Sequence, residues 1–212
     1  NKGPIEQRLE DVWMPHLIAA WRRMTGKSGA ATSLSSRELD EVAASVYELS
    51  RGLVGDRELI GSSYLEDPGK LGAYLLYFWP VSYAQGRRVL AEVPRTFSGR
   101  CLDVGGGPGP MSMAAIDAGC EQAHLLERSL GAITAAQGLA RGAGGSDGGS
   151  DAAAAGTAPG GVTSPSNMAS TSSSSRATRS VSYSRGTRTG SRGARSSVRG
   201  GLEAWLKMAC WY

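Results

Sequence analysis

Cysteine is scarce in this sequence and poorly spaced for bridging or for metal. The three present, Cys101, Cys120 and Cys210, form no Cys-x-x-Cys pair and no even framework, which argues against a disulfide scaffold or a zinc site and fits a reducing compartment. No metal is expected. Long apolar runs are also missing: ahead of residue 142 the longest uncharged stretch, Leu71 to Gly86, has 16 residues and is interrupted by Pro80. A membrane helix needs about 20 apolar residues, so this stretch reads as buried helix and no membrane association is expected. Only two histidines occur, His16 and His124, and neither stands near an acid or a cysteine at a catalytic spacing; both read as packing or surface residues. The chain opens at Asn1 without a methionine, which reads as a trimmed start.

Charge is unevenly distributed. Residues 1–161 carry 15 Lys and Arg against 18 Asp and Glu, whereas residues 162–212 carry 8 against 1. The formal net charge of +4 is therefore a property of the tail. Residues 142–161 are almost wholly Gly, Ala, Ser and Asp, and residues 162–201 hold 13 Ser and 7 Arg with no acidic residue. Such composition buries too little surface to offset its ordering entropy, so a disordered tail is expected over 142–212. The switch in mid-domain is also what a change of reading frame in GC-rich DNA produces, which would put residues after about 141 out of frame and truncate the domain.

Ahead of that switch the pattern is orderly. Ile5, Leu9, Val12, Trp13, Leu17, Ile18 and Trp21 fall at helical spacing, with a kink or restart expected near Met14 because of Pro15. Ser35 to Glu38 spells a capping box that opens a second helix through Leu53, ended by Gly52 and Gly55. Asp67 followed by Pro68 opens a third helix, carrying Leu71, Tyr74, Leu75 and Phe78. Pro80 should break that pattern and start a fourth helix over Val81 to Val93. The aromatic cluster Tyr74, Tyr77, Phe78, Trp79 and Tyr83 reads mainly as core. Residues 1–98 thus form a helical N-terminal module.

From Arg100 the period changes to strand Cys101 to Val104, helix Pro110 to Gly119, strand Ala123 to Glu127 and helix Leu130 to Arg141. This βαβα run over 99–141 predicts an α/β fold, the first half of a Rossmann-like domain. Its loop, Asp103-Val-Gly105-Gly106-Gly107-Pro-Gly109, stands between strand and helix, where glycines let the backbone turn sharply and approach a ligand closely. The following helix start favours an anionic group nearby. Glu127 lies 22 residues after Gly105, at a strand end where a carboxylate can accept hydrogen bonds from both hydroxyls of a ribose. A dinucleotide fingerprint would need Gly or Ala at 110, which is Pro110, and no Gly-Lys-Ser/Thr follows the loop as a P-loop requires. A tight turn in an unrelated α/β protein would use the same glycines, and Glu127 could be a solvated strand-end carboxylate.

The Asp-x-Gly-x-Gly-x-Gly spacing resembles motif I of class I S-adenosylmethionine-dependent methyltransferases. The longer run Gly61-Ser-Ser-Tyr-Leu-Glu-Asp-Pro-Gly-Lys-Leu-Gly-Ala-Tyr-Leu-Leu-Tyr-Phe-Trp-Pro-Val-Ser-Tyr-Ala84, with Val89-Leu90 and the glycine loop, resembles one subgroup in particular. It is similar to the methyltransferase-like protein family of the small ribosomal subunit, found in bacteria and mitochondria, over about residues 35–141. The resemblance implies S-adenosylmethionine as cofactor, with Asp103, Gly105, Gly106, Gly107 and Gly109 cradling its methionine part and Glu127 holding the ribose. It implies a small ribosomal subunit or rRNA as partner, a role in assembly or translation, and a cytoplasmic location in bacteria or a mitochondrial one in eukaryotes. Some members carry a cysteine-ligated iron-sulfur cluster, for which this chain has no matching cysteines. The downstream strands and any catalytic motif are likewise missing, so the catalytic residue is unassigned and cofactor binding is expected to be impaired. The alternatives are a non-catalytic ribosome- or RNA-binding adaptor using the cofactor fold, and an Arg/Ser tail that binds RNA by counterion release.

Overall fold

In the computed structural model the described residues are 3–30, 32–59, 63–93, 99–143, 146–148 and 179–184. Three helices come first. Helix α1 spans 4–25, built of Pro4–Arg8, Leu9–Trp13 and Met14–Thr25. Helix α2 spans 36–55, from Ser36–Ser50 and Arg51–Gly55. A single 3-10 turn, Tyr64–Glu66, precedes helix α3 over 68–92, built of Pro68–Ala73, Tyr74–Phe78 and Trp79–Glu92. Strand β1 is Arg100–Val104, helix α4 Pro110–Ala118, strand β2 Gln122–Glu127 and helix α5 Leu130–Gly142. Two further strands, β3 (Ser146–Gly148) and β4 (Arg179–Ser184), complete a mixed sheet in the order β1-β2-β4-β3.

The regular α-helix is interrupted just before Pro15 and Pro80, where the sequence placed a kink or restart and a new helix, and fresh α segments begin at Met14 and Trp79. A proline ring collides with the carbonyl four residues earlier and lacks an N–H of its own. In both places the preceding turn widens: Met14 N–H donates to the Leu9 carbonyl and Trp79 N–H to the Tyr74 carbonyl, each five residues back. These π turns absorb the missing bond and let α1 and α3 run on. The local start signals behave as read. Ser35 and Glu38 form a reciprocal capping box, and the Asp67 carboxylate accepts from Lys70 N–H at 2.8 Å.

Strands β1 and β2 pair in parallel, with Cys101 opposite Ala123 and Asp103 opposite Leu125. Strand β4 pairs antiparallel to β2, with Val181 opposite Leu125 and Tyr183 opposite Ala123. Two findings correct the sequence reading: the tail expected to be disordered contributes two strands, β3 and β4, and the sheet has four strands where two were expected. Val181 and Tyr183 are buried beside Ala123 and Leu125 on the face packed by α4 and α5, which supplies the apolar burial that the surrounding serines cannot. The remaining tail, 149–178 and 185–212, with Cys210 and the expectations of altered frame and RNA binding, lies outside the described residues. Strand β1 stands at the sheet edge. On its other face Leu102 and Val104 are 62% and 73% exposed, although parallel strands are normally covered on both faces.

One apolar cluster joins helices and sheet. Leu17, Leu75, Leu76 and Trp79 from α1 and α3 share it with Leu125, Leu139 and Val181. Trp79 and Tyr83 stack at 5.4 Å, and Trp13 leans on both. Polar ties fix the same layers. Asp117 on α4 accepts from Arg8 through Nε at 3.0 Å and Nη2 at 2.9 Å, from Trp13 Nε1 at 3.1 Å and from Tyr83 Oη at 2.7 Å. Burial pushes the Asp117 pKa up, but these donors more than offset it and hold the carboxyl below its ordinary value. The buried Arg22–Glu38 pair, at 2.8 and 2.9 Å, ties α1 to α2.

Candidate functional site

The glycine loop leaves β1 through a backbone that ordinary residues resist. Gly105, Gly107 and Gly109 have φ of +71°, +57° and +76°, the left-handed region that costs a side chain about 1–2 kcal/mol. The turn is pinned at both ends. Gly105 N–H donates to the Leu126 carbonyl at 2.7 Å, and the Asp103 carboxylate accepts from Ser112 N–H at 3.0 Å and Ser112 Oγ at 2.7 Å. Asp103 thus buttresses the first turn of α4. A Cβ at Gly106 would collide with that carboxylate, so a side chain there would have to displace Asp103 from Ser112.

At the end of β2, Glu127 is buried and faces the loop. Its Oε2 accepts from Gly107 N–H at 2.9 Å, while Oε1 accepts from Arg128 N–H at 2.7 Å and Ser129 N–H at 2.8 Å. A carboxylate offers about four lone-pair positions, and these bonds take three. With these bonds in place Glu127 has room for about one further donor. Ser129 caps α5 by accepting from Ala132 N–H at 3.1 Å, and Glu66 accepts from Leu130 N–H at 3.0 Å. The turn Tyr64–Glu66 is thereby held over the start of α5.

These elements surround a cleft of about 230 Å³ lined by Ser63, Tyr64, Leu65, Tyr74, Gly105, Gly107, Glu127, Arg128 and Ser129. Of the residues singled out from sequence, Gly105, Gly107 and Glu127 meet there. Asp103, Gly106 and Gly109 are not among the lining residues; they shape the loop beneath it. Tyr64, Tyr74, Arg128 and Ser129 were not singled out as site residues. Tyr64 and Tyr74 belong to the run that carries the family resemblance, and Arg128 and Ser129 simply follow Glu127. Burial, with the charge of Glu127 beside it, raises the Tyr64 phenol, and burial together with Tyr64 pushes Tyr74 to about 12 despite a Ser82 hydrogen bond. Both phenols are protonated at neutral pH and can donate as well as accept.

Compared with known proteins, the chain matches no family model, no curated sequence and no solved structure. The family resemblance thus stands on the motifs quoted above. Among the described residues no group of three His, Cys, Asp or Glu could hold a metal ion, and no helix is long and apolar enough to cross a membrane. His124 sits on the open sheet face with Nδ1 2.8 Å from Ser182 Oγ. His16 is half-buried against Gly142, its pKa lowered by burial and by Arg23.

Proposed function

We propose that the cleft at the carboxyl ends of β1 and β2 is a nucleoside-cofactor site and that the chain is a methyltransferase-like factor acting on the small ribosomal subunit, in assembly or translation. The observation that carries the reading is the buried Glu127 carboxylate facing Gly105 and Gly107 across the strand ends, where open α/β sheets take their ligands. S-adenosylmethionine is the cofactor that the resemblance implies; bound, it would supply an electrophilic methyl group on a sulfonium. The donor set suits its ribose. Glu127 has one acceptor position left for a hydroxyl, the Gly105 and Gly107 backbone permits close approach, and the Tyr64 and Tyr74 phenols can turn a donor or an acceptor toward a nucleoside. The volume suits only a portion: about 230 Å³ is less than the roughly 300–1,000 Å³ of ordinary ligand pockets. Weak binding follows from that shortfall.

A second reading, a non-catalytic ribosome- or RNA-binding adaptor that keeps the cofactor fold, is favoured by Glu127 being the single carboxylate among the lining residues. Its oxygens are mostly committed to backbone N–H groups, which makes it a poor general base. Two measurements separate the readings. Calorimetry with S-adenosylmethionine should give a Kd weaker than micromolar that worsens several-fold in Glu127→Gln, and methyl transfer from labelled cofactor to small subunits should occur only for the enzyme. Micromolar binding that Glu127→Gln leaves unchanged would remove Glu127 from the site.

A further inference from the structure

The two cysteines among the described residues are far apart in sequence and adjacent in space. Cys101 is the second residue of β1, on the face toward α4, and Cys120 follows the Gly119 turn that ends α4. The backbone brackets them closely. The Gly99 carbonyl accepts from Glu121 N–H at 2.8 Å and Gln122 N–H at 3.2 Å, Cys101 lies opposite Ala123, and Cys120 N–H donates to the Ala115 carbonyl at 3.0 Å. The two thiols are close enough to influence each other electrostatically. Cys120 is buried, whereas Cys101 is partly exposed.

We propose that Cys101 and Cys120 form an oxidisable dithiol, closed to an intramolecular disulfide by a small dialkyl disulfide such as oxidised glutathione. The difference in exposure assigns the order of events. The Cys101 thiolate attacks one sulfur of the oxidant, whose S–S bond breaks. One small thiolate leaves and takes up a proton, and Cys101 holds a mixed disulfide. Cys120 then loses its proton to solvent and displaces the second small thiol from the Cys101 sulfur, forming the Cys101–Cys120 bond. Two protein thiols are oxidised and one small disulfide is reduced to two thiols.

The ring so closed runs from residue 101 to 120 and encloses the whole glycine loop and α4. Cross-linking constrains the unfolded chain across that ring, so oxidation should raise the melting midpoint by roughly 5–10 °C. The reaction should be slow at neutral pH. Burial, the neighbouring Cys120 thiol and Asp103 push the Cys101 thiol up to about 11, so the thiolate fraction, and with it the rate, rises about tenfold per pH unit below that value.

The test uses the folded full-length chain incubated with oxidised glutathione at about pH 8, alkylated, digested with trypsin without reduction and mapped by mass. Cys101 and Cys120 fall in one tryptic peptide, 101–128, and Cys210 in another. The expected product is peptide 101–128 lighter by about 2 Da and carrying no alkyl group, with Cys210 alkylated and the product lost when urea is present during oxidation. Two alkylated cysteines in that peptide, a persistent glutathione adduct on Cys101, or a bond to Cys210 would overturn the proposal.

Discussion

Replacing Asp117 by alanine should loosen the attachment of the helical module to the sheet. The carboxylate receives four bonds, from Arg8 Nε and Nη2, Trp13 Nε1 and Tyr83 Oη, at 2.7–3.1 Å. Its side chain is 14% exposed and that of Arg8 27%. Breaking a fully buried ion pair costs about 3–5 kcal/mol because a charge is left unpaired; here Arg8 can regain some water, so about 2–4 kcal/mol is expected. For a chain of this size that is a fall in Tm of roughly 5–15 °C. Asp117→Asn keeps an acceptor but no charge and should lose about half as much. Glu6→Gln, which removes the exposed Arg88–Glu6 pair at 2.9 Å, is the control and should cost less than about 1 kcal/mol. Urea denaturation of the three variants decides the matter. If Asp117→Ala lies within about 0.5 kcal/mol of the parent, or no lower than Glu6→Gln, the clamp has been misread.

Three other outcomes are expected. The Arg22 guanidinium holds the Glu38 carboxyl near 2 against an ordinary 4.5; a depressed acid stabilises the fold above its unfolded pKa, so unfolding free energy should fall as pH drops from about 4.5 to 2, and Glu38→Gln should flatten that slope in acid titration. Gly105→Ala should cost about 1–2 kcal/mol from its positive φ alone, while Gly106→Ala should cost more because the added carbon displaces Asp103 from Ser112; denaturation of the two side by side gives the order. Val181→Asp places a charge in the core beside Leu125 and should release β4, seen as faster amide exchange across Gln122–Glu127; unchanged exchange would show that β4 does not hold that edge.

What was legible in the sequence was local. The Ser35 capping box, the Asp67–Pro68 start and the change of period at Arg100 each lie within a few residues and turn out as read, within a residue or two at the strand ends. The prolines marked where the α-helix is interrupted, but not that the interruption is a widened turn through which the helix runs on, which no short motif records. Strand β4 was hidden by its setting in Ser/Arg-rich sequence, yet Ser180-Val181-Ser182-Tyr183-Ser184 alternates with period two, and that was the available signal. The glycine loop showed its conformational demands plainly. Its neighbours across the cleft did not, because Tyr64 and Tyr74 reach it from the helical module, and only tertiary packing brings them there.

The central claim is that the loop and Glu127 receive a nucleoside cofactor. Backbone amide NMR during titration with S-adenosylmethionine to about 5 mM, repeated with an equal concentration of a nicotinamide dinucleotide, addresses it directly. The expected result is saturable shifts confined to the amides of Gly105, Gly107, Arg128 and Ser129, with a Kd weaker than micromolar and a smaller response to the dinucleotide. Shifts elsewhere, a preference for the dinucleotide, or no response at that concentration would contradict the account.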